Sequence, residues 1–184
     1  MHLCVKKHLK EHLQILVNHG VNDANVPITV DIKDKEGHTV LHEAILESWG
    51  PGVRVAIEAG ANLTAENNDG ESPIHLAAEM GNVDILSEIL NAVKHNYTID
   101  TTNKLRETAL FKAVINGHTK CVQRLLKEGA SIGKTLPRKV NVFHVAAEKG
   151  YLDVLRILLD HDYTVTRRMV NYLTADDRKG YGPI

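Results

Sequence analysis

One motif of about eight residues returns four times along this chain, at a nearly constant interval. Its copies are Gly37-His38-Thr39-Val40-Leu41-His42-Glu43-Ala44, Gly70-Glu71-Ser72-Pro73-Ile74-His75-Leu76-Ala77, Arg106-Glu107-Thr108-Ala109-Leu110-Phe111-Lys112-Ala113 and Lys139-Val140-Asn141-Val142-Phe143-His144-Val145-Ala146. The marker residues Leu41, Ile74, Leu110 and Phe143 are 33, 36 and 33 positions apart. A unit this short cannot bury its own apolar face, so a period of this length requires stacking of successive units into one continuous core.

Each copy reads as a helix start. Thr39, Ser72, Thr108 and Asn141 stand where the helix begins, and each can accept a bond from an unpaired N–H of the first turn. Pro73 follows Ser72 at the first helical position, where a missing N–H costs nothing. Small alanines at 44, 77, 113 and 146 allow close helix approach. Gly81, Gly117 and Gly150 end the first helix, where left-handed backbone is cheap for glycine. A second helical pattern follows, within Gly81 to Leu90, Gly117 to Ala130 and Gly150 to Leu159, with apolar residues at helical spacing. Gly20, Gly60 and Gly129 close the second helices. The polar stretch Asn62 to Asp69 is predicted to form a hairpin finger.

Composition supports this reading. The chain is 43% hydrophobic but only 4% aromatic, which suits small, closely packed helices. Lys plus Arg number 22 and Asp plus Glu 23, for a net charge of −1. That balance argues against nucleic acid and anionic membrane as partners, since both need concentrated Lys and Arg. No apolar run approaches the ~18 residues of a membrane span. Cys4 and Cys121 do not form a disulfide framework, which favours a reducing compartment and a cytoplasmic chain.

Gly-x-Thr-Pro-Leu-His, followed by Ala-Ala-x-x-Gly and x-x-Leu-Leu-x-x-Gly-Ala, resembles the ankyrin repeat. Gly70 to Gly81 is the closest copy, and the resemblance covers roughly residues 10–184. It implies an all-α ankyrin-repeat solenoid of antiparallel helix pairs with projecting hairpins or loops. The expected divisions within a single domain are a partial repeat 1–33, repeats at about 34–66, 67–102, 103–135 and 136–176, and a partial repeat 177–184. Residues 12–20 resemble the second helix of an earlier repeat, and 177–184 the start of another, so the chain is expected to be a fragment of a longer array.

The copies differ. Ser48-Trp49-Gly50-Pro51-Gly52 stands at the inter-helix turn of the first repeat, which predicts a remodelled turn with Pro51 opening the next helix around Val53 to Ala59. Residues 92–100 form an extra stretch in the second repeat. Arg106 and Lys139 replace the finger glycine in the third and fourth repeats, and residues 131–139 carry no clear hairpin signal.

No catalytic residue, cofactor or metal is expected. His8 and His12 could share a helix face but lack a partner at ligand spacing. The resemblance implies that His42, His75 and His144 bond the backbone of neighbouring repeats. Cys121 falls on the inner side of its helical pattern and reads as a small buried hydrophobe. Asp34 with Glu36, and Asp176 with Asp177, lie in fingers and loops without the dry pocket that acid–base chemistry needs. No phosphate loop, nucleophile elbow or CxxC pair is present.

The expected function is protein–protein recognition by a monomeric scaffold or adaptor. In the resembled family the contact positions lie on the fingers and the exposed end of the first helix. Here they are Lys35, Glu36, His38, Leu46 and Glu47 in the first repeat, and Asn68, Asp69, Glu71, Glu79 and Met80 in the second. The third contributes Lys104, Leu105, Glu107, Ile115 and Asn116, and the fourth Pro137, Arg138, Val140, Glu148 and Lys149. Trp49 has two open readings, as an interface anchor or as a plug for its own turn. The alternative function is a substrate-recognition or regulatory array of a larger protein: Asp34 to Ile45 is similar to repeats of mind bomb ubiquitin ligases, and arrays in sensory ion channels look alike.

Overall fold

The computed structural model describes residues 1–7, 11–13, 15, 30–93 and 98–161. Its labelled helices are α1 (His2–Lys6), α2 (Val40–Leu46), α3 (Gly50–Glu58), α4 (Pro73–Met80), α5 (Val83–Ala92), α6 (Ala109–Ile115), α7 (Thr119–Lys127), α8 (Val142–Glu148) and α9 (Leu152–His161), with a short 3-10 turn at Pro137–Lys139. No strand occurs among the described residues. The expected features at His8, Gly20, residues 94–97 and residues 162–184 lie outside them.

Four helix pairs stack side by side. The first helices pack in the order α2, α4, α6, α8 and the second helices in the order α3, α5, α7, α9, giving two layers, with α1 against α2. The core runs unbroken between the layers, from Leu41 and Ile45 through Ile74, Leu86 and Ile89 to Leu110, Phe111, Leu125 and Leu158, all at 2% exposure or less. Each such side chain contributes on the order of 1.5–3 kcal/mol by leaving water. No pair could retain that core alone.

The first helices are capped as the sequence predicts, and the recurring histidine takes part in the cap. Thr39 N–H donates to His42 Nδ1 at 3.0 Å, Ser72 N–H to His75 Nδ1 at 3.2 Å, and Asn141 N–H to His144 Nδ1 at 3.3 Å. The imidazole thus fills the place that Glu holds in the usual reciprocal cap. The inter-repeat role implied by the resemblance is present at His75, whose Nε2 meets the Thr101 carbonyl at 3.0 Å. The buried Nε2 of His42 faces the Ala65 and Glu71 backbone without a hydrogen bond of full geometry among the described residues.

The first inter-helix turn is not remodelled. Ser48 sits seven positions after Leu41, as Gly81 does after Ile74, and adopts the same left-handed backbone at φ 50°. Trp49 N–H donates to the Ala44 carbonyl at 2.8 Å, as His118 N–H does to Ala113 and Tyr151 N–H to Ala146, each at 2.9 Å. The turn is set by this backbone geometry, and serine tolerates it at a cost. The following helix opens at Gly50, with Pro51 in its first turn.

Candidate functional site

The fingers project beside the N-termini of the first helices. One side chain organises each of the first three: Asp34 Oδ1 accepts the N–H groups of Glu36 and His38, Asn67 Oδ1 those of Asp69 and Glu71, and Asn103 Oδ1 those of Leu105 and Glu107, at 2.8–3.0 Å. Backbone bonds Asp34 N to His38 O, Asn67 N to Glu71 O, Asn103 N to Glu107 O and Leu136 N to Val140 O close all four fingers. The fourth finger therefore forms despite its weak sequence signal, with Arg138 at φ 64° and Lys139 at φ 60°.

Adjacent fingers are tied by Asn68 N–H to the Glu36 carbonyl and Lys104 N–H to the Asp69 carbonyl, both 3.0 Å. Pro137 occupies the next equivalent position and has no N–H to donate. The tie between third and fourth fingers therefore lacks this bond, beside Leu105, which is 68% exposed.

The most polar part of this face centres on Lys112. Its Nζ lies 2.7 Å from Glu71 Oε1, 3.0 Å from Glu79 Oε1 and 3.9 Å from Glu107 Oε2. Asn103 Nδ2 donates to Glu107 Oε2 at 2.9 Å and reaches Glu71 Oε1 at 3.4 Å. Burial opposes ionisation of Glu71, but the Lys112 ammonium and the Asn67 and Asn103 amides outweigh it and hold the carboxyl below its usual range. Burial likewise opposes the charge on Lys112, and the Glu71 and Glu79 carboxylates raise its pKa. One cation among three carboxylates leaves a local excess of negative charge.

Of the residues expected at an interface, Lys35, Glu36, Glu47, Asn68, Asp69, Met80, Leu105, Asn116, Arg138 and Lys149 are exposed. His38, Glu79, Glu107 and Ile115 are half-buried. One expected contact residue is corrected, and the burial of a second bears on its two open readings. Glu71 is 8% exposed, because its carboxylate turns inward to Lys112. Trp49 is also 8% exposed, with its ring so close to Gly52 that a Cβ there would lie 2.1 Å from it. Of its two readings, the plug is the one the fold shows.

Lys112 was missed. Its signal was a charge where the equivalent positions of the second and fourth repeats carry Leu76 and Val145. Glu43 is the same anomaly in the first repeat, 5% exposed, with Lys6 Nζ at 3.4 Å and His38 Nδ1 at 3.4 Å. Cys121 is fully buried and burial raises its thiol to about 11, so it is a core side chain rather than a nucleophile.

Among the described residues no helix is long and apolar enough to cross a membrane. The chain matches a family model described as ankyrin repeats (3 copies) over residues 1–99 and 88–169. It is 30% identical over 178 residues to the transient receptor potential cation channel subfamily A member 1 homolog of Caenorhabditis elegans, covering 96% of this chain and 14% of that protein. To the Homo sapiens transient receptor potential cation channel subfamily A member 1 it is 29% identical over 138 residues, covering 74% of this chain and 12% of that protein. The chain thus spans only a small part of these relatives. Among solved structures, the ankyrin repeat domain of Bcl-3, a member of the IkappaB protein family, is similar with a TM-score of 0.80 and 26% identity, over 87% of this chain and 70% of that one. The helix pairs, capped first helices, fingers and family match lead to one conclusion: this chain belongs to the ankyrin-repeat family and is an all-α array of those repeats.

Proposed function

We propose that this array binds another protein, without catalysis, along the face made by its fingers and first helices, and that the bound segment is basic with an apolar side chain. The observation that carries the reading is the Lys112-centred cluster, whose three carboxylates exceed its one ammonium. Exposed Asp69 extends this acidic zone, and Met80 at 41% and Leu105 at 68% exposure supply apolar contact beside it. An apolar centre with charged surroundings is the usual composition of a recognition surface. Arg138 and Lys149 add cations on the fourth repeat, as Lys35, Lys104 and Arg106 do on the earlier fingers, so the basic segment is expected at the Lys112 cluster rather than along the whole face. The fingers are already hydrogen-bonded, so little backbone entropy is lost on binding.

Selection of a random displayed-peptide library on the immobilised chain tests this. Enriched peptides are expected to carry Lys or Arg near an apolar residue and to bind the Asp69→Lys/Glu79→Lys variant at least tenfold more weakly, while its circular dichroism shows that the chain stays folded. Enrichment of acidic sequences, or equal affinity for the variant, overturns the reading.

A second reading is a regulatory array within a larger cation channel in the cytoplasm. It is supported by the similarity to channel proteins along almost the whole chain. The coding sequence beyond Ile184 tests it: apolar segments of about 20 residues support a channel, whereas a Cys/His zinc-binding module in their place supports a ubiquitin ligase.

A further inference from the structure

Glu43 and Lys112 are equivalent positions, yet the charges around Glu43 do not resemble those around Lys112. His38 Nδ1 lies 3.4 Å from Glu43 Oε1 and 4.0 Å from Asp34 Oδ2, and one donor atom from each residue falls within 4.8 Å of the other two. We propose that Asp34, His38 and Glu43 form a site for one divalent cation of the zinc class.

Two of the three edges, those from His38, come near the spacing that such an ion needs. Bonds of about 2.0–2.1 Å to N and O in a tetrahedron place ligand atoms roughly 3.4 Å apart. The His38–Glu43 edge already has that length. The Asp34–His38 edge, 4.0 Å, closes by a small side-chain rotation. One imidazole and two carboxylates are hard-to-borderline donors, as Zn²⁺ and Co²⁺ accept, and water completes the shell.

The other repeats provide an internal control. Asn67 and Asn103 hold their fingers by the same pair of N–H bonds that Asp34 makes. An amide is therefore sufficient for the finger, and the second carboxylate oxygen of Asp34 is surplus to it. Glu43 is likewise unneeded for packing, since Leu76 and Val145 fill the same position as buried apolar residues. A carboxylate that is 5% exposed needs a cation. In the structure Lys6 supplies one, at 3.4 Å from a side chain 55% exposed, so it can withdraw into water.

Binding has a cost that bounds its strength. Asn67 Oδ1 is occupied by backbone N–H groups, so its Nδ2, 3.3 Å from His38 Nε2, donates to that nitrogen. The free imidazole therefore carries its proton on Nδ1, towards Glu43. A metal on Nδ1 requires that proton to move to Nε2, and the Asn67 bond is given up. This loss, with displacement of Lys6, weakens the affinity.

The full 184-residue chain, stripped with chelator, is titrated with Co²⁺ by visible absorption and with Zn²⁺ by calorimetry. One ion per chain is expected, with affinity at least tenfold lower in Asp34→Asn and in His38→Gln, and several-fold higher in Lys6→Gln. Asp34→Asn should keep the metal-free circular dichroism and melting temperature, because asparagine does the same work at 67 and 103. Absence of saturable binding, binding unchanged in Asp34→Asn (ions held by other histidines), or no gain in Lys6→Gln overturns the site.

Discussion

The imidazole of His118 lies against the α-carbon of Gly81, the turn glycine of the preceding repeat: a Cβ there would stand 2.4 Å from its Nδ1. Its Nε2 also meets the Glu79 carbonyl at 2.8 Å. One ring therefore seals the end of α4 and joins two repeats. Gly81 has φ 72°, so Gly81→Ala incurs both left-handed strain and the ring contact. Gly60, at φ 79°, has nothing within 4 Å of a Cβ. Gly60→Ala should cost about 1 kcal/mol from backbone strain alone. Gly81→Ala should cost roughly 1–3 kcal/mol more, as overpacking does. Thermal unfolding of the two variants measures the difference; equal losses would show that the ring yields freely.

Ser48 occupies the same left-handed turn without being glycine. Ser48→Gly removes that strain but increases the freedom of the unfolded chain. The strain is the larger of the two, so a net gain of about 0.5–1 kcal/mol is expected. Arg106, at φ 66°, should respond in the same direction. Denaturant midpoints read both, and a loss of stability at Ser48→Gly would contradict the turn assignment.

Removing Lys112 leaves three carboxylates facing each other with Glu71 buried. Lys112→Met should destabilise the chain by about 3 kcal/mol. Adding Glu71→Gln should recover part of the loss, because it removes the carboxylate that is buried most deeply. The cycle of two single variants and the double isolates the coupling; strict additivity would mean that the pair is not coupled.

Histidine 42 gives the fold an acid sensitivity. Burial is the main cause that lowers it from 6.5 to about 4, and a positive charge on the nearby His38 ring adds to it. Protonation at Nδ1 would also destroy the acceptor for the Thr39 N–H. A base whose folded pKa lies below its unfolded value takes up protons preferentially on unfolding. Its effect is absent above pH 6.5 and grows as pH falls, reaching on the order of 3 kcal/mol of lost stability near pH 4. His75, lowered chiefly by burial, acts in the same sense. His42→Phe should flatten the stability–pH curve over this window, since Phe111 shows that the equivalent site accepts an aromatic hydrocarbon. An unchanged slope would assign the acid sensitivity to other groups.

Much of this was legible in the sequence. Helix starts, apolar spacing and turn glycines are local signals, and a copied motif repeats each of them. Ser48 hides the turn from sequence, because glycine is the usual sign of such a turn but not its condition. The backbone geometry is the condition, and the carbonyl of Ala44 still receives its bond from Trp49 when serine bears the strain. Trp49 itself could not be assigned from sequence, because its burial depends on where the ring meets Gly52.

What the sequence determined by itself is the repeat: its period, its capped first helices, its stacking into one core and its family. These follow from neighbours along the chain. Tertiary structure alone decided the charge partners. Lys112 meets Glu71 and Glu79 from the preceding repeat, and Glu43 meets His38 in its own repeat and Lys6 in α1. Stacking places positions about one period apart within a few ångströms, and electrostatics in a half-buried site acts over that distance rather than along the chain.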